Sequence, residues 1–402
     1  MKQFDSFKSQ RAMQIAAINM AAMLTIFVLL AAYTHGPWDT DCVGRRIDFQ
    51  ALWAAARLAY LGEPLAAFDP IQLRDVYSYC DIPQAAEKYW LYPAPAMLLM
   101  LPLGMLPFLG AWLVFSAVSL LLLAAAVKPF CKNNWVVLTL IVFSPAFITA
   151  LTSGQVAHLW IATLLAALSM LRANRMVLAG ILIGLLTLKP TLGLLIPFAL
   201  VASNSWKTIL TATIATAVLH SIATLFYGME YWSLWFDMTS HHAHEMVVRM
   251  SFFDRKPPIA SLAYLGTRFG LGVEFAVMCN LVFALVLAAV VFVVWRRLGA
   301  KSDISAAILC AAIPLATPYL WSYDAAFTAI AGFFLLRAHQ GNISSLWWLF
   351  YAACWIGPGL GFWNRFSFNL EMFRYVWTVP TLLLVILVVC IHAAATAPKQ
   401  HE

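Results

Sequence analysis

Asp48 stands at the head of the segment DFQALWAAARLAYLGEPLAAFDP, just beyond the first membrane-length apolar run. A carboxylate at a bilayer edge can serve as a general base on a hydroxyl, its protonation tuned by partial burial. The same position suits a helix cap or first-turn acid. Phe49, Leu52, Trp53, Ala56, Leu58 and Ala59 follow with the spacing of a helix lying in the membrane interface. Local pattern leaves both readings open. Asp39 and Asp41, in a Pro-Trp-Asp-Thr-Asp turn, are rival carboxylates and read as solvated, while Asp69 before Pro70 reads as a turn residue. Arg45 and Arg46 offer paired cations for a phosphate or a lipid headgroup.

Lys189 is followed by Pro190 in the middle of an apolar stretch. A lysine at the centre of a membrane helix costs about 2.5–3.5 kcal/mol, so it needs a partner, a wet cavity or an interface to snorkel to. As a point charge it could hold a phosphate. The segment TPYLWSYDAAF crowds Tyr319, Trp321, Tyr323 and Asp324. Asp324 reads as a helix cap or a site acid, and the aromatics as an interfacial belt or a sugar-stacking surface. Gln155, after Gly154, is an uncharged donor at the start of a span. His241, His242, His244 and Glu245 form a polar cluster in which His242 or His244 could lend a hydrogen bond. Without HExxH or a cysteine partner, a bound metal is not expected there. Arg249, Arg255, Lys256 and Arg268 nearby suit an anionic lipid or a phosphate. The chain has no P-loop, GxGxxG, GxSxG or Ser-His-Asp pattern, which argues against an ATPase, a dinucleotide enzyme and a serine hydrolase.

The elements that must position these groups are membrane helices. Of 402 residues, 63% are hydrophobic and 11% charged, against roughly 25% charged in soluble domains. Apolar runs long enough to cross about 30 Å of hydrocarbon recur from end to end. The expected fold is an all-α polytopic membrane bundle of about 11–13 crossings or half-crossings, in one domain. Spans are expected near 12–33, 110–128, 135–151, 156–171, 208–227, 274–295, 304–320, 324–337, 345–361 and 375–393. Two stretches, 92–108 with four prolines and 177–202 with Lys189-Pro190, read as broken helices, which line cavities when they occur at membrane depth. Basic residues in the short loops orient those loops to the cytoplasm. The loops 34–91 and 228–273, together with Gln155, Lys189 and Asp324, then fall on the outer face. The net charge of +7 follows from these loop positives and implies no nucleic acid. Of seven cysteines, Cys42 and Cys80 share the first outer loop and are open to a disulfide or to two thiols.

The segments DFQALWAAARLAYLGEPLAAFDP, YPAP with PLGMLP, SGQVAHLWIATLLAAL, AGILIGLLTLKPTLGLLIP with NSWK behind it, and TPYLWSYD occur in this order. Together, across about residues 12–340, they resemble the bacterial polyprenol-phosphate-mannose-dependent mannosyltransferases, glycosyltransferase family 87 of the GT-C superfamily. The resemblance implies a GT-C bundle in the bacterial inner membrane with its site facing outward. It implies inverting transfer of a hexose, mannose in the family, from a polyprenyl-phosphate donor to a lipid or glycan acceptor. Asp48 would be the base and Lys189 a phosphate contact, joined by Arg45, Arg46 and Arg255. Gln155, Tyr319, Trp321, Tyr323 and Asp324 would line the sugar and acceptor site, and His242 and His244 are added to it on their own chemistry, since the loop from His241 to Glu245 matches no motif of the family. No metal cofactor is implied, because cationic side chains can stabilise the ionised leaving phosphate. YPAP stands where YPP is usual, and Ser322 stands where a histidine is expected. A lipid or sugar transporter or flippase would also use broken helices. It predicts working polar groups on both faces and inverted-repeat symmetry, neither of which is visible.

Overall fold

The computed structural model describes residues 9–35, 48–77, 88–251, 261–339, 342–367 and 378–395. Among these the chain is helical and carries no β-strand. Helix α1 (Gln10–His35) is followed by α2 (Phe49–Tyr60) and α3 (Pro70–Tyr77), then α4 (Ala94–Met100) and α5 (Phe108–Val127). Next come α6 (Trp135–Val142), α7 (Pro145–Ser153), α8 (Ala157–Arg172), α9 (Met176–Leu185) and α10 (Ile196–Ala202). Helices α11 (Trp206–Tyr227), α12 (Glu230–Ser251), α13 (Leu262–Arg268) and α14 (Val273–Leu298) lead to α15 (Asp303–Ala316) and α16 (Ala326–Ala338). The last two are α17 (Ser345–Ser367) and α18 (Thr378–Ala395).

Among the described residues, four helices, in α1, α5, α11 and α14, are long and apolar enough to cross a membrane, and six shorter apolar helices accompany them. Helix α11 shows why these are lipid-facing spans. Leu210, Ile214, Val218 and Ile222 lie exposed along one stripe at four-residue spacing, a face that only hydrocarbon would accept. Its other side meets α9 at Gly180 and Gly184, where an added Cβ would lie 2.6 Å from Thr211 Cβ and 2.8 Å from Ala215 Cβ. Small residues bring the two backbones together, as expected where packing rather than hydrophobic transfer drives association.

Both expected breaks are present. In 92–108, α4 gives way to a 3-10 turn at Leu101–Met105. In 177–202, α9 ends in 3-10 turns on either side of Lys189 before α10. The expected span at 135–151 is present as two helices, α6 and α7, that are apolar enough together and bent by 43°. Ser144 accepts from Phe147 N–H as N-cap of α7, and Pro145, which has no N–H to continue the ladder, occupies its first turn.

Helix α2 is buried against the protein at Phe49–Ala56 and Leu58. Its alanines admit the proline-rich turn so closely that a Cβ on Gly104 would lie 2.2 Å from Ala56 O. Trp53 Nε1 donates to Leu106 O and Arg57 Nη1 to Gly104 O, each at 3.0 Å. Helix α2 is thus bolted to the broken segment.

Helix α15 forms the centre of the bundle, buried at every residue from Ile304 to Ala316. At its start, Asp303 accepts from Arg172 Nη1 at 2.6 Å and from Arg337 Nε at 3.1 Å, with the Phe130 ring 5.0 Å from the Arg172 guanidinium. Helices α8, α15 and α16 each join this basic end to the opposite one. At about 1.5 Å per residue they separate the two ends by roughly 20–24 Å.

Candidate active site

The α7–α8 corner builds the site. Gly154 ends α7 in the left-handed region, with φ 66°, and an added Cβ would lie 2.3 Å from Phe49 Cβ. Only glycine satisfies both conditions. The first residue of α2 is therefore seated directly on the corner, and Asp48 N donates to Ser153 O at 2.9 Å. Gln155 Nε2 then donates to Asp48 Oδ2 at 2.7 Å, and Lys88 Nζ to Asp48 Oδ1 at 2.7 Å. Asp48 occupies the N-cap position of α2 but makes no side-chain cap bond. The carboxylate is bonded by Gln155 and Lys88 and leaves the helix end uncapped.

A second ion pair adjoins the first. Lys189 Nζ donates to both carboxylate oxygens of Asp324 at 2.9 Å and lies 5.2 Å from the centre of the Tyr323 ring. Asp324 sits in the 3-10 turn ahead of α16, and its side chain faces Lys189 with no cap bond to the helix. Burial raises its pKa, and the attraction of Lys189 only partly offsets that shift. Tyr92 OH donates to Gln155 Oε1 at 3.3 Å. Burial, then the Asp48 and Asp324 carboxylates, raise the Tyr323 phenol well above its ordinary range. The Tyr92 phenol is raised by burial, then by Asp324 and Asp48. Both tyrosines therefore remain protonated donors. The rings of Trp321 and Tyr323 are stacked, 6.0 Å apart and 1° from parallel.

Lys88 and Tyr92 belong to an extended segment held by α12. Trp90 Nε1 donates to Tyr231 OH, which donates to Tyr92 O at 3.1 Å, and Trp235 Nε1 donates to Leu91 O at 3.0 Å. The Tyr89 ring meets His241 and His242 at 6.1 and 5.4 Å.

Thus Asp48, Gln155, Lys189, Tyr323 and Asp324 are brought together, with Trp321 on the edge. Tyr319 lies farther along the loop, against Tyr264 and Leu320. His242 touches the site through Tyr89 and lies 3.8 Å from Glu245, whereas His244 is exposed. Arg45, Arg46 and Arg255 lie outside the described residues, as do Asp39, Asp41, Cys42 and Cys80. Among the described residues, no three His, Cys, Asp or Glu side chains gather as metal ligands. Lys88 was not singled out from sequence. It is the lone lysine in the stretch 34–91, beside Tyr89, Trp90 and Tyr92, and that isolation among aromatics is the signal that marks it.

A family model described as glycosyltransferase family 87 matches residues 90–318. The chain belongs to glycosyltransferase family 87. No curated protein and no solved structure matches it. As a family 87 glycosyltransferase with several membrane-length helices, it uses a sugar donor and an acceptor within a multi-pass membrane bundle. The matched residues include Gln155 and Lys189, while Asp48 and Lys88 precede them and Asp324 follows. The tertiary fold joins these outlying groups to the matched core through direct contacts.

Proposed function

We propose that this family 87 glycosyltransferase moves a hexose, mannose in the reading its motifs favour, from a polyprenyl-phosphate donor to a lipid or glycan acceptor. The reaction takes place at the outer face of the bacterial inner membrane, at the end of the bundle opposite Arg172, Asp303 and Arg337. The observation that carries this reading is the Asp48 carboxylate, turned away from its own helix and aimed by Gln155 beside the Lys189–Asp324 pair.

Asp48 accepts the proton of the acceptor hydroxyl as that oxygen bonds to the anomeric carbon. The bond from that carbon to the phosphate oxygen breaks on the opposite side, and its electron pair stays on the phosphate. The anomeric configuration inverts and polyprenyl phosphate leaves. Lys189 has three N–H donors, of which Asp324 takes two, so one is left for a phosphate oxygen. Trp321 and Tyr323 offer flat faces to the sugar. Ammonium groups supply the charge stabilisation for which other transferases use a metal, so no metal cofactor is required.

The test is transfer from radiolabelled polyprenyl-phosphate mannose into a lipid extract, run with EDTA present. Wild-type enzyme is expected to transfer, and Asp48→Asn to be slower by about 10²–10⁴-fold, the range of a lost general base. Full activity in correctly folded Asp48→Asn would remove Asp48 from the reaction. Transfer that depended on added Mg²⁺ would refute the metal-free mechanism.

A further inference from the structure

The two ion pairs of the site differ in how firmly they are held. Lys189 grips both oxygens of Asp324, whose side chain is 2% exposed. Lys88 holds one oxygen of Asp48, and their side chains are 19% and 31% exposed. Parting a buried pair strands an uncompensated charge, whereas a partly solvated pair changes partners at little cost. The backbone around Lys88 is pinned through Trp90 and Leu91, so movement is left to the flexible four-carbon side chain.

The proposed transfer moves charge in a definite direction. Asp48, Asp324, Lys88 and Lys189 together sum to zero. The donor is a phosphodiester with one negative charge. When Asp48 takes the acceptor proton it becomes neutral, and the electron pair of the broken bond gives the phosphate its second negative charge. One unit of negative charge therefore passes from the carboxylate to the phosphate. A cation that remained on Asp48 would end beside a neutral acid, away from the new dianion.

Resting on that reading of the reaction, we infer that Lys88 is an exchangeable cation. Without donor it occupies Asp48 Oδ1 and keeps that oxygen from acting as a base. With donor bound it passes to the phosphate, uncovers Oδ1 for the acceptor hydroxyl, and then neutralises the leaving group. Donor binding and base activation are thereby one event, and Lys88 couples them.

Equilibrium binding of undecaprenyl phosphate to the full-length protein in nanodiscs tests this. If Lys88 is shared between Asp48 and the phosphate, Asp48→Asn frees it and binding tightens by about fivefold, the upper range for a partly exposed pair. Lys88→Met weakens binding, and in the Lys88→Met background the gain from Asp48→Asn disappears. Lys88→Arg, which keeps the charge, retains the gain and separates loss of charge from loss of fold. A gain that persisted in the Lys88→Met background would reveal plain charge repulsion by Asp48 and overturn the exchange. So would unchanged or weaker binding by Asp48→Asn. If undecaprenyl phosphate did not bind the wild type, the donor reading would fall and the exchange with it. Binding without the gain would overturn the exchange alone.

Discussion

Gln155 holds the carboxylate of Asp48 across 107 residues of chain, with Nε2 2.7 Å from Oδ2. The same amide accepts from Tyr92 OH through Oε1 at 3.3 Å, so its two ends are committed in opposite senses. Gln155 is 8% exposed and cannot turn to water for a substitute.

In the proposed reaction Gln155 is a positioning residue. Gln155→Ala leaves Asp48 with Lys88 alone and free to rotate about its side-chain bonds. We expect kcat to fall by about 10–100-fold with donor KM little changed, since misplaced groups cost rate before they cost binding. A rise in KM at constant kcat would assign Gln155 to substrate binding instead.

Gly154→Ala meets two penalties together, a φ of 66° and a contact of 2.3 Å with Phe49 Cβ. The strained backbone alone costs about 1–3 kcal/mol, and the clash adds to it. Thermal unfolding in detergent should show a clear loss of stability. The double variant Gly154→Ala/Phe49→Ala should regain none of it, because alanine keeps the Cβ that the new methyl meets.

Lys189 and Asp324 should respond as a buried pair. Removing one partner, as in Lys189→Met, costs about 3–5 kcal/mol because a buried charge is left alone. Lys189→Met/Asp324→Leu should recover much of that stability and yet remain inactive. Equal melting temperatures for wild type and Lys189→Met would show the pair to be of no structural weight.

Asp69 provides the pH dependence. Its Oδ1 accepts from Ile71 N at 2.8 Å as it caps α3, and Oδ2 accepts from Gln72 Nε2 at 2.9 Å. The Gln72 side chain first, then the Ile71 amide, lower its pKa from 3.8. A depressed carboxyl stabilises the fold above its unfolded pKa, and that contribution is lost as pH falls through the folded value. Asp69→Ala should therefore melt below wild type at neutral pH. The difference should shrink below pH of about 4, and a gap that widened in acid would contradict the capping geometry.

Much of this protein was legible without coordinates. Membrane helices announce themselves because every backbone polar group must be satisfied within the segment. The runs at 208–227 and 274–295 accordingly emerge as α11 and α14 within a few residues. The breaks at Lys189-Pro190 and in YPAPAMLLMLPLGMLPF follow from proline chemistry alone. The motif order likewise pointed to the family that the match over 90–318 establishes. Burial and pairing were not legible. The pattern of α2 suits an interfacial helix, and only the approach of Gly104 and Gly154 shows it to be enclosed. Asp48 as cap or base could not be decided locally, because both roles ask for a carboxylate before a helix. Its side chain pairs with partners 40 and 107 residues away, Lys88 and Gln155, which no local pattern shows. Sequence determines which segments can leave water and where the chain must break. Which charges meet at those breaks depends on contacts between distant segments, and only the tertiary structure decided them.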